Sequence, residues 1–294
     1  MKFRLLSAAA LLAIGITPAY ATSTASATLS NITFTLYDMN AGDGITPWIT
    51  FSSGAGSYGS YVTTVANEYD AVLGNDTNSS TKSGVQFNTS RSSSETTASS
   101  HASASLVGNG INAFGGVGPN TVALKSLNAS GYATGPAGTG SADFSATAST
   151  PYYAWSNFSL SANTLLVVTA DGSVNASITN GYDYLTGRSE QASASASLSI
   201  YGPSSSGSNG GQNSSASLTA NAYWWTPYSE SNSGVLGASF LNLTHSDMVG
   251  TLSISASAGG ISQITSAVPE PETYAMMLAG LGAIGFMARR RQAK

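Results

Sequence analysis

The chain has 294 residues, only 8% of them charged, with 10 Lys and Arg against 14 Asp and Glu and no cysteine. Lack of cysteine excludes thiol catalysis, zinc–thiolate centres, iron–sulfur clusters and disulfide staples. Between Thr22 and Val268 stand four basic residues (Lys82, Arg91, Lys125, Arg188) and twelve acidic ones, so this body has no cationic footprint for nucleic acid, whose binding rests on neutralising phosphates.

Lys2 and Arg4 precede an apolar stretch from Leu5 to Ile16, and Ala19-Tyr20-Ala21 follows as a small-x-small triplet. Twelve apolar residues are too few to span a bilayer, which needs about 20. Residues 1–21 therefore read as a signal peptide taken up by the Sec translocon and cut by signal peptidase before Thr22. The remainder divides into an exported domain, 22–266, and a C-terminal segment, 267–294.

The domain opens with Ile32, Phe34 and Leu36 alternating against Asn31, Thr33 and Thr35, the period of two of a half-buried strand. Asp38 to Pro47 is rich in turn residues, and Trp48 to Phe51 returns as a strand. From Ser52 to Asn88 short strands (Ser60 to Val65, Tyr69 to Leu73) are expected among polar loops. Thr89 to His101 has no apolar periodicity and is expected to be a loop or a locally mobile segment. Ala102 to Leu106 and Val122 to Leu127 are candidate strands, separated by a glycine-rich stretch, and Gly131 to Gly140 reads as a loop.

The second half patterns more strongly. Ser161-Ala162-Asn163 reads as a turn, and Thr164 to Ala170 is apolar and β-branched enough for a central strand. Asp171-Gly172 carries the chemistry of a two-residue hairpin, with Ser173 to Ile178 returning. Strands follow at Ala192 to Tyr201, Ser214 to Trp225, Val235 to Leu243 and Gly250 to Ala258. In Ala192 to Ile200, alanines line one face and serines the other, so large side chains, with Trp and Tyr as candidates, must fill the gap from an opposing sheet. Many short strands without a long helix between the terminal segments predict an all-β, two-sheet antiparallel sandwich, with the jelly roll as one form of it. A parallel β-helix is the alternative, though no fixed short repeat supports it.

Candidate chemistry is sparse. The two histidines, His101 and His245, and abundant serine permit a hydrolytic set on paper, but no Gly-x-Ser-x-Gly elbow is present. The expected body is non-catalytic, without a cofactor. Asp38 and Asp43 are candidate calcium ligands, an oxygen-ligated ion being the kind such loops hold; the same residues also suit a tight turn. Trp155, Trp224 and Trp225, set among tyrosines, are candidate glycan contacts, because a ring face stacks on the C–H face of a sugar. The competing reading makes them core fillers.

The C-terminal segment has three parts in order: Pro269-Glu270-Pro271, an uncharged run from Tyr274 to Ala288 containing Gly280, Gly282 and Gly285, and Arg289-Arg290-Arg291 with Lys294. The prolines bar helix before the run. Fifteen helical residues rise about 22 Å, short of a hydrocarbon core of about 30 Å, so this single C-terminal transmembrane helix spans with bilayer thinning or arginine snorkelling. The arginines favour the cytoplasmic side, leaving the body outside. The arrangement resembles the PEP-CTERM sorting signal. That resemblance implies export, processing by exosortase, a membrane transpeptidase-like enzyme, and a place at the cell surface or in an exopolysaccharide-rich biofilm matrix.

Overall fold

The computed structural model describes residues 21–51, 60–70, 74–84, 89–120, 124–135, 139–150, 158–183, 187–206, 210–223, 225–264, 277–282 and 284. The strands are β1 (Thr22–Asp38), β2 (Trp48–Phe51), β3 (Ser60–Asp70), β4 (Gly74–Gly84), β5 (Arg91–Thr96), β6 (Ser100–Gly108), β7 (Ala113–Gly115) and β8 (Gly118–Asn120). They continue with β9 (Leu124–Thr134), β10 (Gly140–Ser149), β11 (Phe158–Leu160), β12 (Thr164–Ile178), β13 (Arg188–Pro203), β14 (Gly211–Ala222), β15 (Tyr228–Asn242) and β16 (Met248–Ile264). One sheet runs β15-β12-β1-β9-β6-β5, with β8 beside β1. The other runs β4-β3-β10-β16, with β13 and then β14 beyond β16; β11, β2 and β7 continue past the end of β10. Every ladder between these strands is antiparallel, which rules out a parallel β-helix for this body.

The two sheets share one core because β1, β6, β10, β13 and β16 alternate inward apolar residues with outward polar ones, mostly Ser, Thr or Asn. In β1, Ala25, Ala27, Leu29, Ile32, Phe34 and Leu36 point inward and are buried. The outward positions align across strands into polar rows. One crosses the first sheet as Ser231, Asn175, Ser26, Ser130, Ser103 and Ser94. Another crosses the second as Thr81, Thr63, Thr147, Ser257, Ser195 and Thr219. Neighbouring hydroxyls of the second sheet hydrogen-bond at 3.2 Å (Thr63 and Thr81) and 2.8 Å (Ser195 and Ser257), so the row there is made of cross-strand pairs.

Among the described residues phenylalanine fills the space left by alanine, where the sequence suggested Trp or Tyr. Phe34, Phe158 and Phe240 are fully buried. Phe158 and Phe240 meet edge to face at 5.1 Å, and Phe34 packs on Phe51 and Phe114 at 5.5 and 5.8 Å. Phe144 lies where Gly131 of the first sheet and Gly260 of the second would place a Cβ, the latter only 2.7 Å from its ring. A phenyl ring needs no polar partner in an alanine-lined slot, whereas Trp and Tyr must satisfy an N–H or O–H.

Asp171-Gly172 is not a hairpin. It sits mid-strand in β12, with Asp171 opposite Ser30 and Val235 and Gly172 opposite Leu29 and Gly234. A Cβ on Gly172 would collide with Leu236 and Leu218, so the glycine admits core methyls instead of a positive φ. Positive φ is adopted across the ladder by Asn31 (φ 51°), where β1 bulges between Ser30 and Thr33. Asn31 Nδ2 donates to Asp171 Oδ2 at 2.7 Å, tying the acid to that bulge.

The polar segments read as loops are largely strands. β3 is continuous from Ser60 to Asp70, β4 pairs with it along its whole length, and β5 with the start of β6 occupies most of the expected Thr89–His101 loop. β9 likewise extends to Thr134, shortening the expected loop after it. Partners explain this. Ser93 of β5 is buried and accepts from Thr64 Oγ1 at 2.8 Å. The edge carbonyls of Ser92 and Thr96 accept from Lys82 Nζ (2.7 Å) and Asn78 Nδ2 (2.8 Å) of β4. At the opposite seam Gln212 of β14 accepts from Leu241 N and donates to Leu241 O, at 2.9 and 2.8 Å. Side chains thus occupy hydrogen-bonding groups that would otherwise leave open sheet edges.

Candidate functional site

Sequence reasoning placed candidate function in three regions. Pro269, Glu270, Pro271 and Arg289, Arg290 and Arg291 lie outside the described residues, as do Trp155 and Trp224 and the signal-peptide residues 1–20. Of the C-terminal run, residues 277–282 and 284 are helical. Among the described residues no helix is long and apolar enough to cross a membrane.

The Asp38–Pro47 loop is a chain of side-chain-capped turns. Asp38 Oδ1 accepts from Asn40 N at 2.9 Å, and Asp43 Oδ1 from Ile45 N at 2.8 Å. Asp43 Oδ2 accepts from Asn163 Nδ2 at 2.6 Å. Asn163 has φ 47° in the Ser161–Asn163 turn, and its carbonyl accepts from Met39 N at 2.8 Å. The Ile45 amide, then the Asn163 amide, hold the Asp43 carboxyl below its ordinary value of 3.8, because both bonds favour the charged form. These carboxylates are fastening turns. Among the described residues no group of three or more His, Asp or Glu is placed to hold a metal ion.

His101 lies on an outer face, its Nδ1 2.9 Å from Thr96 Oγ1 and its ring 5.8 Å from Tyr132. His245 follows Thr244, whose hydroxyl is bonded to Asn242 Oδ1 at 2.7 Å, and its charge acts on Asp43 only as a minor influence.

Trp225 is the one candidate aromatic among the described residues, and it is 66% exposed. Tyr182, from the β12–β13 connection, meets its ring edge to face at 4.6 Å and 86°. Tyr223, two residues before Trp225, is also exposed. Glu190 builds the Tyr182 side of this ledge. Its carboxylate is 2% exposed, and Oε2 accepts from Thr179 N, Asn180 N and Gly181 N at 2.8, 2.9 and 3.4 Å. Successive amides converging on one oxygen form a nest, which fixes the turn immediately before Tyr182. Glu190 lies before the strand expected from Ala192, and its task depended on where the β12–β13 turn folds back.

Beside the ledge a cavity of about 380 Å³ is lined by Gln191, Asn221, Tyr223, Gly260 and Ile261. It adjoins a second, of about 410 Å³, floored by Thr147, Ser195, Thr219 and Ser257. Ser193, Asn221 and Gly259 line both. Sequence reasoning missed this groove. Its residues come from four strands that only the sheet order brings together, and no motif links them.

Residues 267–291 match the family model of the PEP-CTERM protein-sorting motif. No curated protein matches the chain. The motif implies an exported protein with a membrane-associated C-terminal sorting signal and exosortase as its processing partner.

Proposed function

We propose that this chain, which carries a PEP-CTERM sorting motif, is a non-catalytic protein of the cell surface or extracellular matrix. The observation that carries the reading is the sorting match at residues 267–291, joined to a β body whose outer faces carry cross-strand rows of Ser, Thr and Asn. Such rows offer hydrogen bonds to a hydrated polysaccharide matrix. Three of the polar residues singled out from sequence are engaged within the protein, which supports this reading: Asp38 and Asp43 cap turns, and His101 bonds Thr96.

In this reading the signal peptide directs the chain through the Sec translocon and is removed before Thr22. The run from Tyr274 to Ala288 halts in the bilayer, with Arg289, Arg290 and Arg291 on the cytoplasmic side and Pro269-Glu270-Pro271 outside. Glu270, flanked by two prolines whose chemistry disfavours helix, is the residue offered to the enzyme cleft. The nucleophile belongs to exosortase; the residues here serve recognition. Mass spectrometry of the protein from producing cells tests this. A mature C-terminus near Pro269 supports sorting, and an intact Lys294 in surface-located protein overturns it.

A further inference from the structure

The geometry points to a binding site for a neutral polysaccharide: the groove lined by Gln191, Asn221 and Tyr223, with the exposed Tyr182–Trp225 pair beside it. This inference rests on the matrix reading above and goes further by naming a site and a ligand chemistry.

A sugar ring is amphipathic, with C–H faces that stack on aromatic rings and hydroxyls that need planar donors and acceptors. Both requirements meet here. Tyr223 lines the groove two residues before the exposed Trp225, Tyr182 packs on the Trp225 ring, and the nest on Glu190 pins the turn leading into Tyr182, so the ledge is built before any ligand arrives. Among the described residues the side-chain amides of Gln191 and Asn221 make no hydrogen bond within the protein. The backbone N–H of Asn221, by contrast, is engaged with Glu230 Oε2 at 3.0 Å. An amide offers two donors and an acceptor with two lone pairs, enough to grip adjacent sugar hydroxyls.

Size and charge select the ligand class. The two cavities are contiguous through Ser193, Asn221 and Gly259, giving an elongated trough open to solvent that suits a chain more than a single sugar. Among the described residues none that lines either cavity is charged. The body around them carries an excess of eight acidic over basic residues, which opposes uronate-rich or phosphorylated polymers.

The test is affinity electrophoresis of the purified full chain in detergent, in native gels containing hydroxyethyl cellulose, dextran or galactomannan, with alginate as the anionic probe. Retardation is expected in at least one neutral gel and not in alginate. Trp225→Ala and Asn221→Ala should each weaken that retardation about tenfold, while Trp225→Tyr should restore most of it. An unchanged melting transition identifies variants that remain folded, and Gln191→Ala replaces any that do not. Absence of retardation in all three neutral gels, equal retardation by alginate, or variants that bind like the parent would each overturn the site. The sorting reading is read separately from the mature C-terminus: a processed tail without retardation sinks only the groove, and retardation with an intact Lys294 sinks only the sorting proposal.

Discussion

Two short stretches of similar turn chemistry have opposite fates in this fold. Ser161-Ala162-Asn163 turns between β11 and β12, whereas Asp171-Gly172, only eight residues later, runs straight through the middle of β12. At Asn163 the positive φ is supported on all sides: its amide reaches Asp43, its carbonyl takes the Met39 N–H, and its own N–H donates to Thr244 O at 3.2 Å. At Asp171 both flanks are occupied by β1 and β15, so turning would forfeit two ladders of backbone hydrogen bonds. Residue preference decides a turn only where the neighbours leave room for one.

Substitutions can break that contrast, and the largest effect is expected at Gly172. Gly172→Val should favour an extended strand by propensity, yet it drives methyl groups into Leu236 and Leu218. A loss of about 2–3 kcal/mol is expected, as for overpacking a filled core. Urea unfolding measures it, and a stabilised variant would show that the glycine is there for its conformation after all. Next comes Asn163→Ala, which keeps a strained positive φ and removes the bond to Asp43. About 1–2 kcal/mol should be lost, and Asn163→Gly should recover the part due to backbone strain.

The smallest expected effect concerns pH. The Asp43 carboxyl is held below 3.8 in the folded chain, so the stability it contributes is present above the unfolded value and is lost as pH falls from about 4 through the lowered folded value. Asp43→Asn should therefore flatten the decline of unfolding free energy below pH 4 and leave its slope near neutrality unchanged. An identical acid limb in both proteins would show that the Ile45 and Asn163 bonds do not favour the charged form.

Legibility followed the density of apolar side chains. β1 and the first half of β12 could be read directly, since Ile32, Phe34 and Leu36 or Leu166 and Val168 mark their inward faces. β4 and β5 could not. Glycine and polar or charged residues fill them, with no apolar side chain, and they are strands because β3 and β6 present ladders to pair with. The candidate sites divide likewise. Trp225 was singled out from its type and neighbours, but its partner Tyr182, the nest on Glu190 and the amides of Gln191 and Asn221 are separated from it by up to 46 positions.

By itself the sequence determined the class of structure, the inward and outward faces of the apolar strands, and a C-terminal sorting signal, because each is written in local order: period two, or three consecutive elements at one end. Only the tertiary structure decided that Asp171-Gly172 stays extended, that polar segments become strands, and that an aromatic ledge stands beside an uncharged groove. Those outcomes depend on which strands lie side by side, and a pairing partner lends a segment hydrogen bonds and packing that its own residues do not encode.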